Sequence, residues 1–373
     1  MSAPSAELRD LLALHLTPGV GPRTAAALLE WFGSAAAVLR ASEARLRDVP
    51  HVGPKLAQAV REAAANPEID AELERVAKGQ VRLLLKGTPD YPESIASISD
   101  PPLLLYVRGE LTPADAVAVA LVGSRHCTDA GRRTAAKLAA GLGRAGVTVI
   151  SGLARGIDGI AHRAALEAGG RTVAVLAGGL SRIYPPEHRS LAEQVVGAGA
   201  LLTESSMTQE PLAGLFPPRN RLISGLSRVV VIVEAGVDSG ALHTAHHAAE
   251  QGRTVLAVPG PVDAETSAGC NALIRDGAVL CRGPDDVLEE LHGVSAVSQS
   301  AKAAAPAPTE KATPPGLTDE QRRVWEFLAG GVRTVDELAQ NLGMTAPQLT
   351  GALMMMEMKR AIRRLPGNRY ERR

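Results

Sequence analysis

Six arginines stand just past the ends of apolar runs: Arg125 after ALVGS, Arg155 in VTVISGLARG, Arg182 and Arg189 on either side of Tyr184, and Arg219 and Arg221 in PPRNR. A planar guanidinium takes two phosphate oxygens at once, so these residues point to anion binding. Gly123 and Ser124 directly precede Arg125. Exposed backbone N–H groups beside a short hydroxyl suit the same ligand. Aromatic residues make up only 2 % of the chain, yet Tyr184 and Phe216 fall in these same turns, each beside proline and near arginine. A cationic groove with aromatic platforms is the arrangement that holds a single nucleic-acid strand, at about 1–3 kcal/mol per stacked base. Ser239 and Gly240, in the turn after VVVIVEA, complete the candidate binding set.

Other chemistries find no residues. GLGRAG (141–146) matches the dinucleotide fingerprint but closes a helix and precedes a strand, the reverse of the order that motif needs. No G-x-x-x-x-G-K-[ST] and no G-x-S-x-G occurs. HTAHH (243–247) sets His243 and His247 on one helix face but lacks the Glu of H-E-x-x-H, so no metal site is expected. Asp158, Glu204 and Glu234 read as orienting groups: Asp158 as a cap for the helix GIAHRAAL, the glutamates as partners for arginine or a sugar. The reading is of a binding protein, not an enzyme, with no cofactor.

What must position these residues is a sheet. Six short β-branched runs between 120 and 260 alternate with helix-sized stretches, the pattern of an open, Rossmann-like parallel α/β sheet. Ligands of such sheets lie outside the carboxyl ends of the strands, where the arginines fall. This core is expected over 117–292, with two connecting strands in 67–116, RLLLK and PPLLLYVRG.

Smaller modules flank the core. In 1–66, TPGVGPRTAAALL repeats as VPHVGPKLAQAV, a tandem helix–hairpin–helix pattern in which His51 replaces the first glycine of the second copy. Such hairpins offer backbone N–H groups and a cation to one phosphate; a small helical packing domain is the plainer alternative. Residues 293–316, rich in Ala, Pro, Ser and Thr, read as a flexible linker. In 317–373, three amphipathic segments begin at Thr318, Thr334 and Thr345, with Gln321 and Glu337 placed for capping boxes. A hairpin turning at Pro366-Gly367-Asn368 would complete a winged helix. Its basic tail suits duplex DNA or a protein partner.

Composition frames this. The chain has 45 % hydrophobic and 21 % charged residues and no formal net charge, so a polyanion must be held by a local patch. Cys127, Cys270 and Cys281 form no C-x-x-C, the N-terminus has no signal-peptide pattern, and no segment approaches spanning length. A cytoplasmic protein without membrane insertion is expected.

The stretches DPPLLLYVRG, VALVGSR, ISGLARGIDGIAH, TVAVLAGGLSRIYP, FPPRNRLISGLSRVVVIVEA, DSGALHTAHHAAEQGR and VPGPVDAETSAGCNALIRDGA strongly resemble the bacterial DprA (Smf) family. That resemblance implies an extended Rossmann domain that binds single-stranded DNA, forms a homodimer and helps load RecA recombinase in natural transformation or repair. It implicates Gly123, Ser124, Arg125, Tyr184, Arg189, Phe216, Arg219 and Arg221 in the DNA pocket, and 268–291 in the dimer. Relatives carry Lys in the loop after Tyr-Pro where this chain has PPEHR, with Arg189 the nearest cation. The rival is a lysine-decarboxylase-like phosphoribohydrolase, whose P-G-G-x-G-T-x-x-E needs a Glu where His247 stands.

Overall fold

The structure, a computed structural model, describes residues 5–302, 317–328, 333–342, 344–359, 361–365 and 369–372. The chain divides into two compact units, Met1–Val294 and Ser295–Arg373.

In the first unit the apolar runs become nine strands of one sheet: β1 Val81–Leu85, β2 Leu104–Gly109, β3 Ala118–Val122, β4 Thr148–Ser151, β5 Thr172–Val175, β6 Ala200–Thr203, β7 Val229–Ile232, β8 Thr254–Ala257 and β9 Val279–Leu280. Their spatial order is β1-β2-β6-β5-β4-β3-β7-β8-β9. From β6 to β9 all neighbours pair in parallel, while β1 and β2 extend the sheet antiparallel beyond β6. Residues of β3, β4, β5, β6 and β7 are buried throughout, as both faces of a crossover sheet require. One face packs against Leu222, Ile223 and Ala245, the other against Leu138, Leu142 and Ala161. The order reverses direction at β3, where β4 lies on one side and β7 on the other. That is the switch point at which the carboxyl-end loops diverge and open a cleft.

The repeat of the N-terminal region is structural as well as sequential. Helices Pro22–Phe32 and Pro54–Ala63 both start at proline behind an extended glycine, Gly21 and Gly53. Gly19 has φ +88°, and His51 takes the same left-handed turn at φ +68° despite its side chain. A further helix, Glu68–Lys78, stands where connecting strands alone were expected. Its wholly buried Glu72 accepts a hydrogen bond from the Met207 N–H at 2.6 Å, joining the helix to the sheet region.

The expected linker starts too early. Helix Pro284–Lys302 runs ten residues into it, because GVSAVSQSAK contains no proline to stop it. Residues 303–316 lie outside the described residues.

The second unit packs helices Asp319–Phe327, Val335–Leu342 and Ala346–Met358 with strands Arg333–Thr334, Ile362–Leu365 and Arg369–Arg372. Thr318 and Gln321 form the expected capping box. A second box pairs Thr345 with Gln348, which the sequence reading passed over. Thr334 directly precedes its helix, and the turn at 366–368 lies outside the described residues. Arg372, expected in a free basic tail, lies 4.5 Å from the Trp325 ring and donates to the Trp325 carbonyl at 2.7 Å.

Candidate nucleic-acid interface

Three loops at the carboxyl ends of β3, β4 and β7 are tied together before any ligand is considered. Ser124 N–H donates to the Glu234 carbonyl at 2.8 Å, and the Ser124 carbonyl accepts from Ile157 N–H at 3.2 Å. Gly156 enters helix Ile157–Glu167 at φ +71°, and a Cβ there would stand 2.2 Å from the Ser124 oxygen. Only glycine fits that contact. The Glu234 carboxylate accepts from the Thr128 N–H at 3.0 Å, so it braces the start of helix Asp129–Arg144, and it pairs with no arginine among the described residues. Asp158 sits inside its helix, not at the cap. Its carboxylate reaches back to the Gly152 N–H at 3.1 Å and the Ala154 N–H at 3.4 Å, fixing the loop after β4.

The cleft framed by these loops has a volume of about 870 Å³ and is lined by Gly123, Ser124, Arg125, Phe216, Arg219, Ser239 and Gly240 of the expected set. Arg125 is exposed, makes no ion pair among the described residues, and holds its guanidinium carbon 4.7 Å from the Phe216 ring centre. Phe216 meets Tyr184 edge-on at 6.0 Å and 66°. Beyond it, the Arg155 guanidinium carbon lies 5.7 Å from the Tyr184 ring centre, while its Nε donates to Glu187 at 2.6 Å. Two adjacent rings thus stand between two cations, Arg125 at one end and Arg155 at the other. Each cation–π contact contributes about 0.5–1 kcal/mol at an exposed site, enough to preset the side chains. Tyr184 is 37 % exposed, which leaves ring surface open to a base.

Three expected arginines behave differently. Arg219 is only 5 % exposed and donates through Nη1 to the Val175 carbonyl at 2.7 Å. Burial pulls its guanidinium down to about 10, opposed by the nearby Asp158 carboxylate, so it stays charged beneath Phe216 as a support. Arg221 is equally buried and is turned from the cleft to Glu204 at 2.5 Å and Asp100 at 3.4 Å. Burial raises the Glu204 carboxyl, and Arg221 offsets this. Arg189 opens helix Arg189–Ala198, exposed and outside the cleft lining. Next to it His188 is buried and bonded to the Leu153 carbonyl at 2.9 Å.

The sequence reading also missed part of the cleft. Asp238, His243 and Glu265 line its β7–β8 side. They could have been found by applying the strand-end rule to every polar residue there, not to cations alone. Among the described residues no cluster of three His, Cys, Asp or Glu is placed to hold a metal ion.

The fold and its cleft define an open α/β protein with a cationic, aromatic site at the carboxyl ends of its strands. Residues 82–292 match the family model of DNA recombination-mediator protein A, 305–368 the DprA winged helix domain, and 8–66 the SAM-like helix-hairpin-helix tandem. The chain belongs to the DNA recombination-mediator protein A family, also called DprA or Smf. It is 39 % identical to Protein Smf of Escherichia coli over 74 % of each chain. It is 38 % identical to the putative DNA processing protein DprA of Mycobacterium tuberculosis over 69 % of this chain and 65 % of that one. The crystal structure of DprA from Streptococcus pneumoniae superposes with a TM-score of 0.65 at 32 % identity, covering 78 % of this chain and 99 % of the other. DprA from Helicobacter pylori, described with a single-stranded DNA binding mode, gives 0.52 at 28 % identity over 57 % and 96 %.

Proposed function

We propose that this chain is a non-enzymatic single-stranded DNA-binding protein that works as a cytoplasmic homodimer and helps load RecA recombinase in recombination or transformation. The observation that carries the reading is the row Arg125–Phe216–Tyr184–Arg155 along the strand-end rim, two rings flanked by two cations. The guanidinium groups at the two ends meet phosphates, and the ring faces between them meet bases, without any group that selects one base sequence. The DNA-binding mode described for the Helicobacter pylori relative supports the same ligand.

The late edge of the sheet, with 268–291, is the surface proposed for the dimer. There β9 is the last strand, Val279 and Leu280 are exposed, and Val262 is almost fully so. For the winged helix a protein partner is favoured over duplex DNA. Helix Ala346–Met358 contains no Lys or Arg and exposes Met354, Met355 and Met358, a face poorly suited to phosphates.

Titration of labelled oligo-dT and of a duplex at several salt concentrations tests the ligand. Each phosphate neutralised on a single strand contributes about −0.7 to the slope of log K against log salt. A clearly negative slope with weaker duplex binding is expected; a flat response or equal affinities would reject the reading.

A further inference from the structure

The rim does not end at the cleft. Over the carboxyl ends of β5 and β6 lies a second pocket of about 190 Å³. Ala177 and Ser205 form its sheet side, and Gly21 and Pro22 of the first helix–hairpin–helix copy form part of its opposite side. Arg219 lines both this pocket and the main cleft, so the two share a wall. The first hairpin therefore caps the same sheet edge that presents Arg125 and Phe216, within one compact unit. The second hairpin, His51-Val52-Gly53, lines neither pocket.

Charge gives this edge a direction. On the β7–β8 side of the cleft, Asp238 and Glu265 are exposed carboxylates without an ion pair among the described residues. A phosphodiester chain is repelled there. Toward β5 the rim carries Phe216, Tyr184 and Arg155 instead. At the shared wall Arg219 is 5 % exposed and its Nε has no hydrogen-bond partner among the described residues. Glu204, also in the second pocket, is paired with Arg221. On the hairpin, Gly21 and Arg23 are exposed, and Gly21 heads an eleven-residue helix whose first N–H groups have no intrahelical acceptor.

We infer that the first helix–hairpin–helix copy, and not the second, holds a phosphate of the same single strand, so that the DNA track runs from Arg125 past Phe216 and Tyr184 onto Gly21 and Arg23. The inference rests on the single-strand reading of the cleft and adds the direction in which the strand leaves it. The second copy, though it has Lys55 at the matching position, lines neither pocket.

Full-length Arg23→Glu and Lys55→Glu proteins are titrated with oligo-dT of increasing length, after circular dichroism confirms that both are folded. Short oligonucleotides that fill only the cleft should bind both variants as they bind the parent. Longer ones should bind Arg23→Glu about tenfold more weakly, as for the loss of one charge-assisted contact, with a salt slope reduced in magnitude by about 0.7. Lys55→Glu should match the parent at every length. Equal losses in the two variants, or no length-dependent loss in Arg23→Glu, overturn the inference while short-oligonucleotide binding leaves the cleft reading intact. Failure of the parent to bind oligo-dT of any length overturns both.

Discussion

Arg221, inside helix Phe216–Leu226, and Arg125, in the loop after β3, are both expected at the rim, yet one is part of the fold and the other faces the ligand. Arg221 is buried between Glu204 and Asp100. Removing it strands a carboxylate in a poorly solvated site, which costs about 3–5 kcal/mol for a buried pair. Arg221→Ala should therefore lower the melting temperature by several degrees, measured by thermal unfolding followed by circular dichroism; an unchanged melting temperature would show that the pair is not structural. The sequence reading expects all six arginines in strand-end loops; Arg125 and Arg155 do follow β3 and β4, but Arg219 and Arg221 lie inside helix Phe216–Leu226 and Arg189 begins helix Arg189–Ala198. What it leaves open is which way each side chain turns, because that depends on carboxylates such as Glu204, 17 residues away in sequence and brought close only by packing. The pairing of Phe216 with Tyr184 was likewise illegible, since only the fold sets the rings 6.0 Å apart.

At the scale of elements, the six β-branched runs became β3 to β8 because buried parallel strands have a strong and short sequence signature. The two-residue β9 has none, and helix Glu68–Lys78 was passed over although EIDAELERVAK holds no proline and spaces Ile69, Leu73 and Val76 on one helix face. The junction of loops after β3 and β4 is where element geometry controls the site. Gly156→Ala forces a Cβ to within 2.2 Å of the Ser124 oxygen at a positive φ. The Gly123-Ser124-Arg125 turn must then shift. The variant should lose stability by about 1–3 kcal/mol, the usual cost of a strained backbone position, and single-strand affinity should fall with it. Chemical denaturation and anisotropy measure the two; unchanged values for both would mean that the loops are not locked as described.

At the scale of the molecule, the cleft and the first hairpin lie within Met1–Val294, and the winged helix belongs to the second unit. Cutting the chain between 303 and 316 should leave a folded protein with its oligo-dT affinity nearly unchanged, checked by anisotropy against the full chain; a large loss would move the main site out of the cleft. The most direct measurement compares Arg125→Ala, Phe216→Ala and Arg189→Ala, each confirmed folded, in one oligo-dT titration. Arg125 stacks on Phe216 in the cleft, whereas Arg189 carries the same charge outside it. Loss of a charge-assisted contact or of a base-stacking ring is worth about 1–3 kcal/mol. Arg125→Ala and Phe216→Ala should each weaken binding about tenfold, with Arg189→Ala close to the parent. Similar losses in all three variants, or none in the first two, would contradict the assignment of the strand-end cleft as the single-stranded DNA site.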